Sequence, residues 1–171
     1  KDFMETAIVT GSLGLVGAES VRFLTASGLK VIGIDNDMRR EFFSDDASTK
    51  WNLKALEQDC PGYVHYFNDI RSEPDMEKVF SEYNRDIKLV IHAAAQPSHD
   101  WAKKAPVTDF TINANGTLNL LEMTQKFCPD AVFIYLSTNK VYGDLPNTLP
   151  LIEHATRWEL EPAHPYYERG I

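Results

Sequence analysis

The chain has 171 residues, with 17 lysines and arginines against 25 aspartates and glutamates, for a formal charge of −8. Hydrophobic residues make up 43% and charged residues 25%, a composition that excludes a disordered chain and, at this length, describes about one domain with a real core. The acidic balance repels phosphate backbones and anionic lipid heads, which argues against nucleic-acid and membrane partners, whereas a small phosphorylated ligand can still be held by local amides.

Taken in chain order, short β-branched runs alternate with amphipathic stretches. Residues 6–10 (TAIVT) read as a buried strand, followed by a helix over 15–27 with Val16, Ser20, Phe23 and Leu24 at core-facing spacing. Gly28 stops that helix, and 30–35 (KVIGID) form a second strand. The charged segment 36–49, with its Phe-Phe pair, reads as a surface loop before a helix over 50–58. A weaker strand follows at 63–67, then a helix over 74–83, a strand at 88–92 and a long connection over 93–106. A long helix over 107–127 has apolar residues on two faces, Phe110, Ala114 and Leu121 on one and Leu120, Met123 and Phe127 on the other, so one face needs a neighbour. Residues 131–136 (AVFIYL) form a fifth strand. Continuous apolar strands separated by helices imply parallel βαβ units, an α/β sheet with helices on both faces.

The expected organisation is a domain over 1–143 and an extended, proline-punctuated loop over 144–171 with no helix or strand to close it, so that the chain stops in mid-architecture. It also begins at Lys1 without a methionine, as a trimmed or partly observed protein would. Cys60 and Cys128 sit in no CxxC or Cys/His spacing, so neither a disulfide framework nor a metal site is expected, and a cytoplasmic, reducing setting fits. No apolar run approaches the ~18 residues that span a bilayer, and no leader is expected at the start.

Gly11, Gly14 and Gly17 stand in TGSLGLVG, where the first strand turns into the first helix. A pyrophosphate site there needs a tight turn, close backbone approach and free helix N-terminal amides, and glycines meet these demands. Leu13 and Leu15 supply neighbouring amides. The spacing is GxxGxxG rather than GxGxxG, and glycines can also serve such a turn for its own sake. Asp35 ends the second strand, where a carboxylate can accept from both adenosine ribose hydroxyls and repel a 2′-phosphate. A solvated strand-end aspartate is the plainer alternative, and Arg39 and Arg40 could answer a 2′-phosphate.

TGSLGLVG at 10–17, IDN at 34–36, NDI at 68–70, HAAAQ at 92–96, NANGT at 113–117 and STNKVYGD at 137–144 occur in the order seen in extended short-chain dehydrogenase/reductases. From residue 6 to 143 the chain resembles the NAD-dependent epimerase/dehydratase family acting on nucleotide sugars, and STNKVYGD is most similar to the segment in CDP-paratose (CDP-tyvelose) 2-epimerases. The resemblance implies a doubly wound Rossmann-type fold, NAD as cofactor, and a full-length homodimer that moves a hydride from a sugar carbon to the cofactor and back.

It further implies Gly11, Gly14 and Gly17 at the pyrophosphate, Asp35 and Asn36 at the ribose, and Asp69 with Ile70 at the adenine edge. Ala93, Ala94 and Ala95 would line the cofactor where only small side chains fit, and Asn113 would brace the long helix. Thr138 would be the Ser/Thr that steadies the sugar oxygen, with Gln96, Ser98, His99 and Asn139 on the substrate side. Asp69 could instead cap a turn, and Ser137 and Thr138 could be strand-edge hydroxyls bonded to backbone.

The family's Tyr-x-x-x-Lys pair departs from the pattern. Tyr166 and Tyr167 lie near the expected distance, but Gly170 and Ile171 stand where lysine would be, and HPYYERG lacks a helix pattern. Both tyrosines are rejected as the base. The chain is thus read as the N-terminal portion of the enzyme, inactive alone. The alternatives are a non-catalytic dinucleotide-binding sensor or an NAD-linked reductase of a small carbonyl compound.

Overall fold

The computed structural model describes residues 5–170. They divide into two compact units, one running to Leu136 and the other starting at Ser137. In the first unit the strands β1 (Thr6–Thr10), β2 (Lys30–Ile34), β3 (Tyr63–Tyr66), β4 (Ile87–His92) and β5 (Val132–Tyr135) form one sheet in the order β3-β2-β1-β4-β5. Every neighbouring pair is parallel.

Side-chain alternation along the strands decides which face each residue serves. Ala7, Val9 and Val31 pack with Ala18, Val21 and Leu24 of α1 (Leu15–Ala26) and Leu56 of α3 (Lys50–Asp59). On the opposite face, Ile8, Ile32, Ile34 and Val90 pack with Met76, Val79 and Phe80 of α4 (Glu73–Tyr83) and with Leu120 and Met123 of α7 (Gly116–Phe127). The sheet is therefore covered by helices on both sides, as a β1 buried at every position requires. Strand order reverses beside β1, with β2 on one side and β4 on the other, and a ligand crevice belongs at the carboxyl ends of such strands.

Several elements differ from expectation. In α1 the residues facing the sheet are Gly17, Ala18, Val21 and Leu24, while Val16 and Phe23 are 53% and 71% exposed. Of the expected set only Leu24 is buried. The segment 36–49 carries a short helix, α2 (Arg39–Phe43), and the connection after β4 carries another, α5 (His99–Lys104).

The long helix starts as α6 (Pro106–Phe110) and widens into a π turn over Thr111–Asn115 before continuing as α7. Its two-faced character holds: Leu120 and Met123 are buried, and Phe110, Leu118 and Leu121 are exposed. Among the described residues no helix is long and apolar enough to cross a membrane.

The second unit is not a bare loop. After 3₁₀ turns at Asn139–Tyr142 and Leu145–Thr148, β6 (Leu151–Glu153) pairs antiparallel with β7 (Trp158–Leu160). His154 N–H donates to the Arg157 carbonyl at 2.8 Å and closes the hairpin, and Glu159 accepts from Arg157 at 3.0 Å. Strands of three residues between prolines are too short to leave a periodic trace in sequence.

Candidate cofactor-binding site

A cavity of about 290 Å³ opens where β1, β2 and β4 end, and the sequence candidates meet there. Gly11, Gly14, Leu15 and Gly17 line it from the turn after β1; Asp35 and Asn36 do so after β2. Asp69 and Ile70 line it after β3, and Ala93, Ala94 and Ala95 after β4.

Two of the three turn glycines are demanded by the fold itself. Gly11 has φ +66°, and a Cβ there would stand 2.8 Å from the Ala94 nitrogen and 2.9 Å from the Ala93 oxygen. A Cβ on Gly17 would come within 2.0 Å of the Gly11 carbonyl oxygen, so α1 can start against the turn only without one. Gly14 differs: its backbone is extended, and a Cβ would meet one atom within 4 Å, the Gly11 oxygen at 3.3 Å. Gly14 itself lines the cavity. The first amides of α1 have no partner within the helix and carry the positive end of its dipole.

Asp35 ties this turn to the end of β2. Its Oδ2 accepts from Leu13 N–H at 3.0 Å and its Oδ1 from Asp37 N–H at 2.8 Å. Burial pushes the carboxyl above its usual range, and the two N–H bonds work against that push. Leu13 is itself buried and does not line the cavity; its contribution is this amide. Across the crevice, Asn36 Nδ2 donates to Asp69 Oδ2 at 3.2 Å, and Asp69 pairs with Arg71 at 2.6 Å. Burial raises the Asp69 carboxyl, but hydrogen bonds and charge from Arg71 outweigh it and hold the carboxyl below its ordinary value. Asp69 also accepts from Arg71 N–H, so it closes its own turn and faces the cavity at once.

The alanine segment hangs on His92, the last residue of β4. Thr117 Oγ1 gives its hydrogen to the Asn113 carbonyl at 2.7 Å, so it must accept from His92 Nε2–H at 2.9 Å. His92 Nδ1 then accepts from Thr10 Oγ1 at 2.8 Å, and that oxygen accepts Ala94 N–H at 3.2 Å. Burial pushes the imidazole down to about 4, so it stays neutral and the network keeps this polarity.

The remaining candidates are braces or lie elsewhere. Gln96 is 6% exposed, with its amide nitrogen on Asp109 at 2.8 Å and on the Ser98 carbonyl at 2.9 Å. Asn113, on the π turn, accepts Gln96 N–H at 2.9 Å and does not line the cavity. Ser98 caps α5, accepting Trp101 N–H at 3.3 Å, and His99 is exposed at the first position of α5. Thr138 and Asn139 belong to the second unit, where the exposed Thr138 hydroxyl accepts Lys140 N–H at 3.3 Å.

Sequence reasoning missed Met38, Phe42 and Thr49 as walls of the cavity, and Ile112 from the π turn. A signal existed in Asp37, a buried carboxylate at φ +56° that accepts from Ser48 Oγ at 2.7 Å and Thr49 N–H at 2.8 Å, folding the charged segment back onto the site. Arg39 lines the cavity and lies over the Phe43 ring at 4.8 Å, whereas Arg40 is not in the wall. Among the described residues no group of His, Cys, Asp or Glu side chains is arranged to hold a metal ion.

Residues 7–169 match the model of the NAD dependent epimerase/dehydratase family. A CDP-paratose 2-epimerase of Salmonella typhi is 34% identical over 138 residues, 81% of this chain and 38% of that protein. A UDP-glucose 4-epimerase of Thermotoga maritima, solved with UDP-glucose, superposes with a TM-score of 0.67 at 30% identity over 85% of this chain and 42% of its own. That of Bifidobacterium longum, in complex with NAD⁺ and UDP, gives 0.68 at 25% identity over 92% of this chain and 43% of its own. The chain spans about two fifths of the length of the curated relatives it matches. With the doubly wound Rossmann-type sheet, the glycine turn against α1 and a match running over nearly all of the sequence, the chain belongs to the NAD dependent epimerase/dehydratase family.

Proposed function

We propose that the chain is the NAD-binding portion of a nucleotide-sugar epimerase or dehydratase that works by transient hydride transfer. The observation that carries this reading is the convergence of Gly11, Gly14, Gly17 and Asp35 on one cavity at the reversal of strand order. The residues fit a dinucleotide: Gly14 lines the cavity without a side chain, although local packing would nearly admit a Cβ. When bound, NAD takes up a hydride from a sugar carbon and returns it.

The chain's own residues would bind and orient. The α1 amides from Leu15 to Gly17 hold the pyrophosphate. Asp35 retains lone pairs beyond its two N–H bonds and accepts from the ribose, beside Asn36. Asp69 and Ile70 flank the adenine, and the alanines after β4 leave room toward the nicotinamide. Thr138 would steady the sugar oxygen being oxidised. Ser98, His99 and Asn139 remain substrate-side candidates, while Gln96 acts by bracing the loop that carries Ser98 and His99. The relatives with UDP-glucose and CDP-paratose in their names support a nucleotide-sugar substrate.

The exposed apolar face of α6 and α7 supports a homodimer of the whole protein, and the two free, buried cysteines fit the cytoplasm. The sensor reading draws on one observation: none of the 7 tyrosines has lysine four residues later. Titration with NAD⁺ tests cofactor binding by the chain itself. Turnover of UDP- and CDP-sugars by the enzyme that carries this chain separates enzyme from sensor. A chain that leaves NAD⁺ unbound at millimolar concentration would refute the reading.

A further inference from the structure

One wall of the cavity is set by an aromatic pair that the glycine motif does not announce. Phe42 of α2 lines the cavity, and its carbonyl oxygen accepts Trp101 Nε1–H from α5 at 2.7 Å. The two rings meet edge to face with centroids 5.0 Å apart. Because α2 follows β2 and α5 follows β4, the pair joins two connections that leave the sheet on opposite sides of β1.

Neither connection holds itself. The helices α2 and α5 have 5 and 6 residues and no buried side chain in either, so local helix formation and packing cannot fix them. Each is instead braced from one end. Asp37 folds the segment after α2 back through Ser48 and Thr49. Gln96 holds Ser98, which caps Trp101 N–H, and Asn113 on the π turn holds Gln96. Trp101 and Phe42 close the span between these braces.

We propose that Trp101 is a positioning residue for the dinucleotide: it fastens the connection after β4 to the connection after β2 and holds the Phe42 ring in the cavity wall on the Asp35 side. Release of the adenosine end then requires this clasp to open. The proposal rests on the NAD reading above. It assigns the clasp chiefly to retention, because a closed clasp opposes departure more than it alters encounter.

The test uses the 171-residue chain loaded with NADH and mixed with excess NAD⁺, so that the decay of NADH fluorescence reads the dissociation rate. Trp101→Ala removes the hydrogen bond and the ring contact together, and dissociation should quicken by about tenfold or more. Trp101→Phe keeps a ring and loses the N–H, and should fall between Ala and the parent. Phe42→Ala should quicken release as well, though it keeps the Phe42 carbonyl as an acceptor, and the double variant with Trp101→Ala should fall short of additivity, since both remove the ring contact. Thermal melts accompany each variant; a merely structural role would lower the melting temperature and leave dissociation unchanged.

Dissociation within twofold of the parent in a folded Trp101→Ala chain overturns the clasp, and so does additivity in the double variant. If Trp101→Ala fails to fold, Trp101→Phe decides by the same criterion. A parent chain that binds no NADH sinks the NAD reading and the clasp together, whereas tight binding with an indifferent Trp101 sinks the clasp alone.

Discussion

Gly14 and Gly17 stand three residues apart in one turn, yet alanine should have opposite consequences at the two. At Gly17 the new Cβ falls 2.0 Å from the Gly11 backbone oxygen, which no rotamer change can relieve. Forcing α1 away from the turn costs about 1–3 kcal/mol or more by the scale of overpacked cores, against a gain of about 1 kcal/mol in helix propensity. The separation is large, so the upper end applies, and the melting temperature should fall by roughly 4–8 °C for about 2 kcal/mol net.

At Gly14 the Cβ meets only the Gly11 oxygen at 3.3 Å, in a backbone conformation open to any residue. The loss of a favourable N-cap glycine, about 1 kcal/mol, is offset by reduced freedom of the unfolded chain, about 0.4–1 kcal/mol. Stability should stay close to the parent. Gly14 lines the cavity, however, and a methyl group added to that wall should keep a pyrophosphate off at least one helix amide. One lost hydrogen bond to a charged group is about 1.5–3 kcal/mol, or tenfold to about a hundredfold in Kd. Melts with and without saturating NAD⁺, together with titration calorimetry, separate the two effects. Parent-like NAD⁺ affinity in Gly14→Ala, or parent-like stability in Gly17→Ala, would refute the division of labour.

Asp35→Ala should weaken NAD⁺ by about tenfold or more and NADP⁺ less, because the carboxylate that repels a 2′-phosphate is gone; parallel titrations check the ratio, and an unchanged preference contradicts the assignment. Because burial holds His92 near 4 while an unfolded histidine titrates near 6.5, only the unfolded chain binds this proton between those values. Its share of stability is therefore fully present above about pH 6.5 and is lost as pH falls toward 4, on the order of 3 kcal/mol in all. Urea midpoints across that range should show the loss, and His92→Gln should reduce it but not abolish it, because burial pushes His65 down to about 4 as well. In the active enzyme carrying this chain, Thr138→Ala should lower turnover about a hundredfold, by the roughly 2.7–4 kcal/mol scale of one transition-state donor, with Thr138→Ser mild and NAD⁺ affinity unchanged. The 171-residue chain alone should turn over no nucleotide sugar, which a coupled assay at high protein concentration would detect.

What sequence determines by itself is the part of the molecule where chemistry and local backbone coincide. The strands announce themselves because a sheet covered on both faces needs continuous apolar runs, and TAIVT is buried at every position. The glycine turn and Asp35 announce themselves because a pyrophosphate cradle and a ribose acceptor must stand at the ends of the first two strands. Only the tertiary structure decides how α1 is rotated. Leu15, Val16 and Phe23 are more apolar than Gly17 and Ala18 but face outward, because the approach of Gly17 to the Gly11 carbonyl sets the rotation through backbone contact before hydrophobicity is counted.

The rest of the site arises from pairs far apart in the chain. Phe42 meets Trp101, Gln96 meets Asn113 and Asp109, and His92 joins Thr10 to Thr117, through hydrogen bonds and a ring contact that no periodicity records. Helices as short as α2 and α5 carry too little pattern to be seen, and they hold their places through these long-range contacts rather than through their own propensity.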